Sequence, residues 1–410
     1  MASVPFHCMV KTVGPVCNLA CDYCYYRSNS EAIRASGALP ALSVLRALPR
    51  MADDVLEAFI REYITAQPDG TREVNFSWQG GEPTLAGDAF FERAIAMQEK
   101  YCRPGMAVTN AIQTNATLIT RERARFFRKN RFLVGVSIDG PEALHDCYRK
   151  DLHGGGTFAA VMKGLNHLVA ARTDFNTLTV VHNVNGQEPE AVYEFLKSIG
   201  TEYMQFIPLV EPSISGEARR HGAGVTPRSV PAEVWGTFLN GIFDIWVERD
   251  VGMTFIQHFE MMIGLYLGLP ASLCVHSKRC GTAVVIERDG SVYRCDHFVD
   301  PEHRIGRILP AGTPDSGGSD SGASDSTAGL AEMVSSRQQL SFGNSKFDLL
   351  PKKCRECRYL EFCYGGCPKD RLIPTKTGRL NYLCAGYYAF YEHTGPALTR
   401  IARDLSKAAR

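Results

Sequence analysis

The chain has 410 residues, 45% of them hydrophobic and 22% charged, which is the composition of an ordinary globular protein of one large and one smaller domain. Its formal net charge of +1 gives no electrostatic reason to expect nucleic acid or an anionic membrane as a partner. The first residues lack the features of a signal peptide, and no segment approaches the ~18 continuous apolar residues of a membrane helix. We therefore expect a cytoplasmic protein.

Strand-like and helix-like stretches alternate through the first half of the chain. Apolar, β-branched runs predict strands at 7–14, 74–78, 106–113, 132–138, 177–184 and 203–210. Apolar residues at the spacing of one helix face predict helices at 53–66, 91–101, 121–129, 157–171 and 189–200. Six such βα units predict an α/β fold with a parallel sheet, either open or closed into a partial barrel. In these sheets the chemistry gathers at the carboxyl ends of the strands.

The rest of the chain has a different character. Residues 212–235 are rich in Gly, Pro, Ser and Arg and predict a connection, and 234–250 predict a helix. From about residue 270 the sequence shows short strands, many turns and most of the cysteines. Residues 311–329 contain only Ala, Gly, Thr, Pro, Asp and Ser, so we expect a flexible insertion without chemistry.

Fourteen cysteines are many for a chain expected in a reducing compartment, where clustered cysteines indicate metal rather than disulfides. Three stand alone and are expected to be small buried hydrophobes: Cys8, Cys102 and Cys147. The others fall into three groups: Cys17, Cys21 and Cys24; Cys274, Cys280 and Cys295; and Cys354, Cys357, Cys363, Cys367 and Cys384.

The first group, in CNLACDYCYY, is one thiol short of a closed four-ligand site. One interpretation is a zinc site with a fourth ligand elsewhere. The other is a [4Fe–4S] cluster that leaves one iron open for a small molecule. The stretch resembles the signature of the radical S-adenosylmethionine (SAM) enzymes, CxxxCxxC with an aromatic residue, here Tyr23, before the last cysteine. The resemblance implies that SAM occupies the open iron and that its reductive cleavage releases a 5′-deoxyadenosyl radical.

Residues 79–85, QGGEPTL, follow the second predicted strand and resemble the GGEP motif of the same family. Gly80 and Gly81 allow a close backbone approach, at which their amide and carbonyl groups can meet the methionyl amine of SAM. Glu82 either directs negative charge towards that amine or organises the loop. In the related QTNG motif this chain has Ala116 in the glycine place, and we expect little effect from that change.

Further SAM contacts are implied by the resemblance. Ser137, near Asp139 at the end of the fourth strand, and Arg149 match positions that contact the ribose and the carboxylate of SAM. The alternative for Arg149 is a solvated surface charge. Residues 206–210 are expected to seat the adenine, with Leu209 as the chosen contact, unless they are ordinary core.

The cysteines of the second half number eight, enough to close two four-thiolate sites. Two structural zinc sites are one interpretation. The spacing from residue 354, CxxCxxxxxCxxxC, resembles the SPASM extension of radical SAM enzymes, which carries two auxiliary [4Fe–4S] clusters. The resemblance implies one cluster on Cys274, Cys280, Cys295 and Cys367, and a second on Cys354, Cys357, Cys363 and Cys384, both serving electron transfer. The expected cofactors are therefore three [4Fe–4S] clusters and SAM.

Several longer stretches, including KTVGPVCNLACDYCYY and CVHSKRCGTAVVIERDGSVYRCDHFV, resemble the anaerobic sulfatase-maturating enzymes. The resemblance implies oxidation of one Cys or Ser of an unfolded or nascent sulfatase to Cα-formylglycine, with an electron donor such as flavodoxin or ferredoxin. Asp296 matches the family's catalytic base, although a turn carboxylate is the alternative, and no role is fixed for His297. Tyr26 and Gln79 match positions near the substrate and could equally be core residues.

The implied architecture is a partial (β/α)6 barrel with a cysteine-rich extension. We expect the radical SAM barrel over 1–235, a helical connection over 236–270, the SPASM domain over 271–390 and a helical tail over 391–410. Two other functions stay open. One is a SPASM enzyme that forms thioether or carbon–carbon crosslinks; the position of the radical-site cysteines near the N-terminus argues against it. The other is a non-enzymatic zinc scaffold.

Overall fold

The computed structural model describes residues 2, 4–26, 49–213, 224–310 and 328–408. Most of the predicted insertion at 311–329 and part of the connection at 212–235 therefore lie outside the described residues. The chain divides into two compact units. Unit 1 comprises Met1–Val136, Arg149–Asp174 and Gly281–Gly343, and unit 2 comprises Ser137–Tyr148, Phe175–Cys280 and Asn344–Arg410.

Strands and helices alternate as the apolar periodicity predicts. The strands are β1 His7–Lys11, β2 Glu73–Gln79, β3 Ala107–Thr114, β4 Phe132–Ser137, β5 Phe175–Val181, β6 Tyr203–Pro208, β7 Phe255–Ile256, β8 Ala283–Ile286, β9 Ser291–Tyr293, β10 Arg304–Arg307, β11 Ile373–Thr375 and β12 Gly378–Leu380. The helices are α1 Asp53–Ala66, α2 Asp88–Tyr101, α3 Arg121–Lys129, α4 Glu142–Tyr148, α5 Phe158–Ala171, α6 Pro189–Ser198, α7 Ala232–Arg249, α8 Gln257–Tyr266, α9 Leu330–Ser335, α10 Arg337–Asp348, α11 Lys352–Arg355, α12 Leu360–Cys363 and α13 Cys384–Ala408.

Unit 1 is built on a mixed sheet in the order β10-β9-β8-β1-β2-β3-β4. Strands β1 to β4 pair in parallel, and β8 joins the free side of β1, also in parallel, with Val10 opposite Ile286. Strands β9 and β10 follow in antiparallel pairing. Because β8 runs parallel to β1, the chain that follows Ile286 emerges at the carboxyl end of β1.

The core of unit 1 lies between this sheet and its helices. It is rich in aromatic rings that are almost wholly removed from water, which is the main source of stability for such a layer. These rings are Phe59, Tyr63, Phe76, Trp78, Phe90, Phe91, Phe127 and Phe132. Ala116 follows β3 with a φ of +60°, a left-handed conformation that costs a non-glycine residue about 1–2 kcal/mol.

Unit 2 contains the parallel strands β5, β6 and β7 and the long helix α13. Helices α7 and α13 pack at glycines, and a Cβ built on Gly236 would lie 2.9 Å from the Cα of Gly386. Helix α13 begins at Cys384 and runs through residue 391, the first residue of the expected helical tail. The expected domain boundaries remain a prediction.

Candidate active site

The loop that follows β1, residues 12–26, carries the first cysteine group and is called the three-cysteine loop here. The Sγ of Cys17 accepts hydrogen bonds from the Leu19 N–H at 3.4 Å and from the Asn115 amide at 3.7 Å. Burial, and then the negative charges of Glu82 and Cys21, raise the pKa of the Cys17 thiol above its ordinary value. An isolated thiolate is therefore costly at this position, and a bound cation would offset that cost.

The GGEP loop packs directly against the three-cysteine loop. The Gly81 N–H donates to the Gly14 oxygen at 2.8 Å, and the Glu82 N–H donates to the Val16 oxygen at 2.8 Å. A Cβ on Gly81 would overlap the Val16 carbonyl, so only glycine fits at this position. The Gly81 N–H is therefore engaged within the protein, and contact of the Gly80 and Gly81 backbone with the methionyl amine of SAM remains a prediction.

Glu82 is fully buried, and its carboxylate is surrounded by donors. It accepts from the Thr84 N–H at 3.0 Å, the Thr84 hydroxyl at 2.6 Å, the Thr114 hydroxyl at 2.7 Å and the Asn115 N–H at 2.8 Å. These contacts join the ends of β2 and β3 beneath the three-cysteine loop. Of the two roles left open for Glu82, the geometry favours organisation of the loop.

Arg149 is buried, with 6% of its surface exposed, so the alternative of a solvated surface charge does not apply. Its Nη1 donates to the Tyr23 hydroxyl at 2.7 Å, and its carbonyl accepts from the Thr157 hydroxyl at 2.9 Å. Arg149 thus holds the aromatic residue that precedes the last cysteine of the three-cysteine loop.

A chain of polar side chains crosses the carboxyl end of β1 and includes Asp296. The Lys11 ammonium lies 2.6 Å from Oδ1 of Asp296 and donates to the Gln79 amide oxygen at 2.8 Å. The Tyr25 hydroxyl donates to the other carboxylate oxygen of Asp296 at 2.5 Å. Since Tyr25 directly follows Cys24, the predicted base lies beside the three-cysteine loop within unit 1.

The environment of Asp296 keeps its carboxyl ionised. Burial acts to raise its pKa, but the positive charge of Lys11, the charge of His297 and the hydrogen bonds from Lys11 and Tyr25 outweigh it, so the pKa lies below its ordinary value. The side chain keeps 15% of its surface exposed, whereas Lys11 keeps 1%. The carboxylate is therefore ionised and able to accept a proton, and its lowered pKa means that it holds that proton weakly.

The two predicted substrate contacts belong to the same network. The Tyr26 hydroxyl donates to Glu287 at 2.5 Å, and the Lys11 ammonium lies 4.5 Å from the centre of the Tyr26 ring. The Gln79 amide nitrogen donates to Gln113. Sequence analysis missed Lys11, Tyr25 and Glu287. These residues meet their partners because the pairing of β1 with β8 brings the chain around residues 11–26 next to the chain around residues 287–296.

The remaining predicted SAM contacts lie in unit 2. Ser137 is the last residue of β4 and is partly exposed. Asp139 is fully buried and accepts the Val180 N–H at 3.0 Å, so it fixes the chain after β4. The Leu209 N–H donates to the Val181 oxygen at 2.8 Å, with 9% of Leu209 exposed. The contacts of Ser137 and Leu209 with SAM remain predictions.

The cysteines of the second half are distributed over both units. Cys295 belongs to unit 1, and the following belong to unit 2: Cys274, Cys280, Cys354, Cys357, Cys363, Cys367 and Cys384. No disulfide joins any cysteines in the described ranges. Burial first, then neighbouring charges, raises the pKa of Cys354 to about 11 and that of Cys367 to about 12.

The cysteines of unit 2 suit one of the two candidate metal groups, an iron–sulfur cluster, better than a single metal ion. Over the part of the chain that the structure describes, no three His, Cys, Asp or Glu side chains converge as a single metal ion requires. The ligands of a [4Fe–4S] cluster stand farther apart, because each binds a different iron. Two buried cations, Lys346 and Arg371, also lie near these cysteines, which fits an anionic iron–sulfur cluster.

Comparison with known proteins defines the family. The radical SAM superfamily model matches residues 12–196. A serine-type anaerobic sulfatase-maturating enzyme of Bacteroides thetaiotaomicron is 40% identical, over 98% of this chain and 92% of its own length. The chain belongs to the anaerobic sulfatase-maturating enzymes. A serine-type relative of Klebsiella aerogenes is 39% identical over 98% of this chain and 88% of its own, and a cysteine-type relative of Clostridium perfringens is 30% identical over 98% and 99%.

Solved structures agree with this assignment. The structure described as native anSMEcpe with bound AdoMet and Cp18Cys peptide superposes with a TM-score of 0.80 at 28% identity, covering 98% of this chain and 99% of that one. Streptococcus suis SuiB bound to its precursor peptide SuiA, at 12% identity and a TM-score of 0.59, shares the fold. The predicted α/β radical SAM fold with a SPASM extension is therefore confirmed.

This family member is a radical SAM enzyme, and as such it uses a [4Fe–4S] cluster and SAM. Its relatives are named as sulfatase-maturating enzymes, and one solved relative is described with a bound peptide. None of the helices in the described ranges is both long enough and apolar enough to span a bilayer.

Proposed function

We propose that this enzyme oxidises one Ser or Cys side chain of a sulfatase polypeptide to Cα-formylglycine, with Asp296 as the proton acceptor. The observation that carries the proposal is the placement of Asp296: it is held by Lys11 at 2.6 Å and by Tyr25 at 2.5 Å, and Tyr25 adjoins the last radical-site cysteine. The similarity to sulfatase-maturating enzymes along 98% of the chain supports the same reaction.

When bound, the radical-site cluster and SAM supply a 5′-deoxyadenosyl radical, and the auxiliary clusters supply an electron acceptor. Converting –CH2OH to an aldehyde removes one hydrogen atom from Cβ, one hydroxyl proton and one electron. Asp296 takes the proton at its carboxylate, while Lys11 and Tyr25 fix the direction of its oxygens. For cysteine the same loss gives a thioaldehyde, which water converts to the aldehyde with release of hydrogen sulfide.

The proposed site residues divide by role. Cys17, Cys21 and Cys24 hold the cluster that binds SAM. The proposed SAM contacts are Tyr23, Gly81, Ser137, Arg149 and Leu209, and the buried contact between Arg149 and Tyr23 supports two of them. Tyr26 and Gln79 are proposed to face the substrate, supported by their places in the network around Lys11.

The auxiliary clusters form the electron path in this proposal. Cys274, Cys280, Cys295 and Cys367 hold one, and Cys354, Cys357, Cys363 and Cys384 hold the other. An acidic one-electron carrier such as flavodoxin or ferredoxin serves as donor to the enzyme, which acts in the cytoplasm on unfolded or nascent sulfatase. We propose that residues 1–235 form the radical SAM barrel and that residues 271–390 form the SPASM domain.

Serine is the favoured target. Three serine-type relatives are 38–40% identical to this chain, whereas three cysteine-type relatives are 29–30% identical. We therefore expect a serine peptide to be oxidised.

The test uses anaerobically reconstituted enzyme, reductant, SAM and a sulfatase-derived peptide containing Ser, Cys or, as control, Ala at the target position. Mass spectrometry should show loss of two hydrogens from the serine peptide, an aldehyde that reacts with hydrazines, and an equal amount of 5′-deoxyadenosine. The Ala peptide should stay unchanged. A crosslinked peptide without aldehyde would favour the alternative of a SPASM crosslinking enzyme.

A further inference from the structure

A lysine near the end of α10 is buried among the cysteine loops of unit 2. Lys346 has no exposed surface. Its Nζ donates to the carbonyl oxygens of Cys274 at 2.9 Å, Val275 at 2.9 Å and Ser277. Three acceptors require three N–H donors, and an ammonium has three whereas a neutral amine has two. The geometry therefore describes a positive charge.

Among the residues that the structure describes, this charge has no carboxylate partner. Within the described ranges, neither Lys346 nor the neighbouring Arg371 forms an ion pair with Asp or Glu, although buried charges are normally paired because an uncompensated one is costly. Arg371 donates to the Lys346 oxygen at 2.6 Å and the Tyr364 oxygen at 3.1 Å. The buried Asp370 is already paired with Lys369 at 2.6 Å.

The negative groups close to Lys346 are cysteine sulfurs. Desolvation by burial lowers the pKa of Lys346 to about 8, with a smaller contribution from the charge of Arg371, whereas Cys280, Cys274 and Cys363, when deprotonated, act to raise it. These residues belong to the proposed auxiliary ligand sets. A four-thiolate [4Fe–4S] cluster is an anion in both of its oxidation states, so it supplies the missing counter-charge.

We propose that the positive charge of Lys346 raises the reduction potential of the auxiliary cluster bound by Cys274 and Cys280. The inference rests on the proposed function only in assigning an iron–sulfur cluster to these cysteines. Taking up one electron makes the cluster one unit more negative, and a fixed cation in a poorly solvated site stabilises the reduced form more than the oxidised form. Lys346 thereby makes the cluster a better acceptor for the electron that leaves the substrate, while the proton remains with the base.

The alternative to this electrostatic role is a purely structural one, in which the hydrogen bonds of Lys346 only hold the turn at residues 274–277 in shape. Two substitutions separate the roles. Lys346→Gln removes the charge and retains an amide donor, whereas Lys346→Arg retains the charge and changes the shape. Lys353→Gln is the matched control, because it removes an exposed positive charge beside Cys354, where water screens it.

The test is an anaerobic redox titration of the reconstituted holoenzyme followed by electron paramagnetic resonance, together with iron and sulfide per chain. The cluster whose signal changes on adding SAM is the radical-site cluster, and the other signals report the auxiliary clusters. For Lys346→Gln we expect the equilibrium constant for reducing one auxiliary cluster to fall at least tenfold, a 59 mV shift to more negative potential. Lys346→Arg and Lys353→Gln should change it less than twofold.

A full iron content with unchanged auxiliary potentials in Lys346→Gln would overturn the proposal. If that variant loses an auxiliary cluster, retention of the cluster by Lys346→Arg supports the electrostatic role, and loss in both variants establishes the structural one. The titration needs no peptide, so a wild type that has these clusters but forms no formylglycine would refute the proposed substrate and leave this inference standing.

Discussion

Replacing Asp296 by Asn changes one atom of the proposed base and nearly nothing of its shape. The amide oxygen can still accept from Lys11 or Tyr25, but the side chain cannot take up a proton. General bases contribute about 10²–10⁴-fold to rate, so we expect aldehyde formation to fall by that factor in Asp296→Asn. 5′-Deoxyadenosine should still form, because SAM cleavage does not need this carboxylate.

The stability change should be small by comparison. Lys11 has only 1% of its surface exposed and loses a charged partner at 2.6 Å, which for a hydrogen bond to a charged group is worth about 1.5–3 kcal/mol. The Gln79 oxygen at 2.8 Å and the Tyr26 ring at 4.5 Å remain around the ammonium. We therefore expect a loss at the lower end of that range and an unchanged iron content.

The assay compares initial rates of peptide aldehyde and 5′-deoxyadenosine for wild type, Asp296→Asn and Tyr25→Phe. Tyr25→Phe keeps the carboxylate and removes one of its two hydrogen-bond donors, so its aldehyde rate should fall less than that of Asp296→Asn. An aldehyde rate in Asp296→Asn within tenfold of wild type would refute the assignment of the base. Loss of iron in this variant would make Asp296 a structural residue instead.

Three further substitutions test the support of the three-cysteine loop. Gly81→Ala would drive a methyl group into the backbone of that loop, so we expect loss of SAM binding and of the radical-site iron, while Gly264→Ala, where the methyl meets only ordinary contacts, should lose neither. Glu82→Gln replaces a carboxylate that accepts four hydrogen bonds by an amide, in which the nitrogen can only donate. Thermal denaturation should show a loss of at least about 2 kcal/mol in the free energy of unfolding, and a melting point equal to that of the wild type would contradict the organising role of Glu82. Arg149→Lys loses the planar donor that holds Tyr23, so SAM affinity measured by equilibrium dialysis should weaken at least tenfold, and an unchanged affinity would remove Arg149 from the SAM site.

Local patterns were sufficient to predict most of the elements. The apolar periodicity of 53–66 coincides with α1, and the β-branched runs mark β1 to β6 to within a few residues. The cysteine spacings and the GGEP motif located the three-cysteine loop, because each of these signals lies within ten residues of sequence. The contacts of Glu82 fit one of the two roles expected for it, the organisation of the loop, whereas the packing of Gly81 against the three-cysteine loop was not expected.

The contacts that could not be predicted join residues that lie far apart in the sequence. Lys11 lies in an apolar strand, where a single lysine suggests a solvent-facing position, yet it is buried because β8 places Asp296 beside it from 285 residues away. Lys346 lies in a polar helical stretch with no sign of burial, and its carbonyl acceptors come from residues about 70 positions earlier. Neither contact has a local signal.

The central claim is that the radical removes a hydrogen from Cβ of a serine or cysteine and that this residue becomes an aldehyde. The direct measurement uses a peptide deuterated at Cβ of its target serine, with wild-type enzyme, SAM and reductant under anaerobic conditions. The account predicts one deuterium in 5′-deoxyadenosine for each aldehyde formed, and only protium from a peptide deuterated elsewhere. Deuterium-free 5′-deoxyadenosine alongside unoxidised peptide would contradict it.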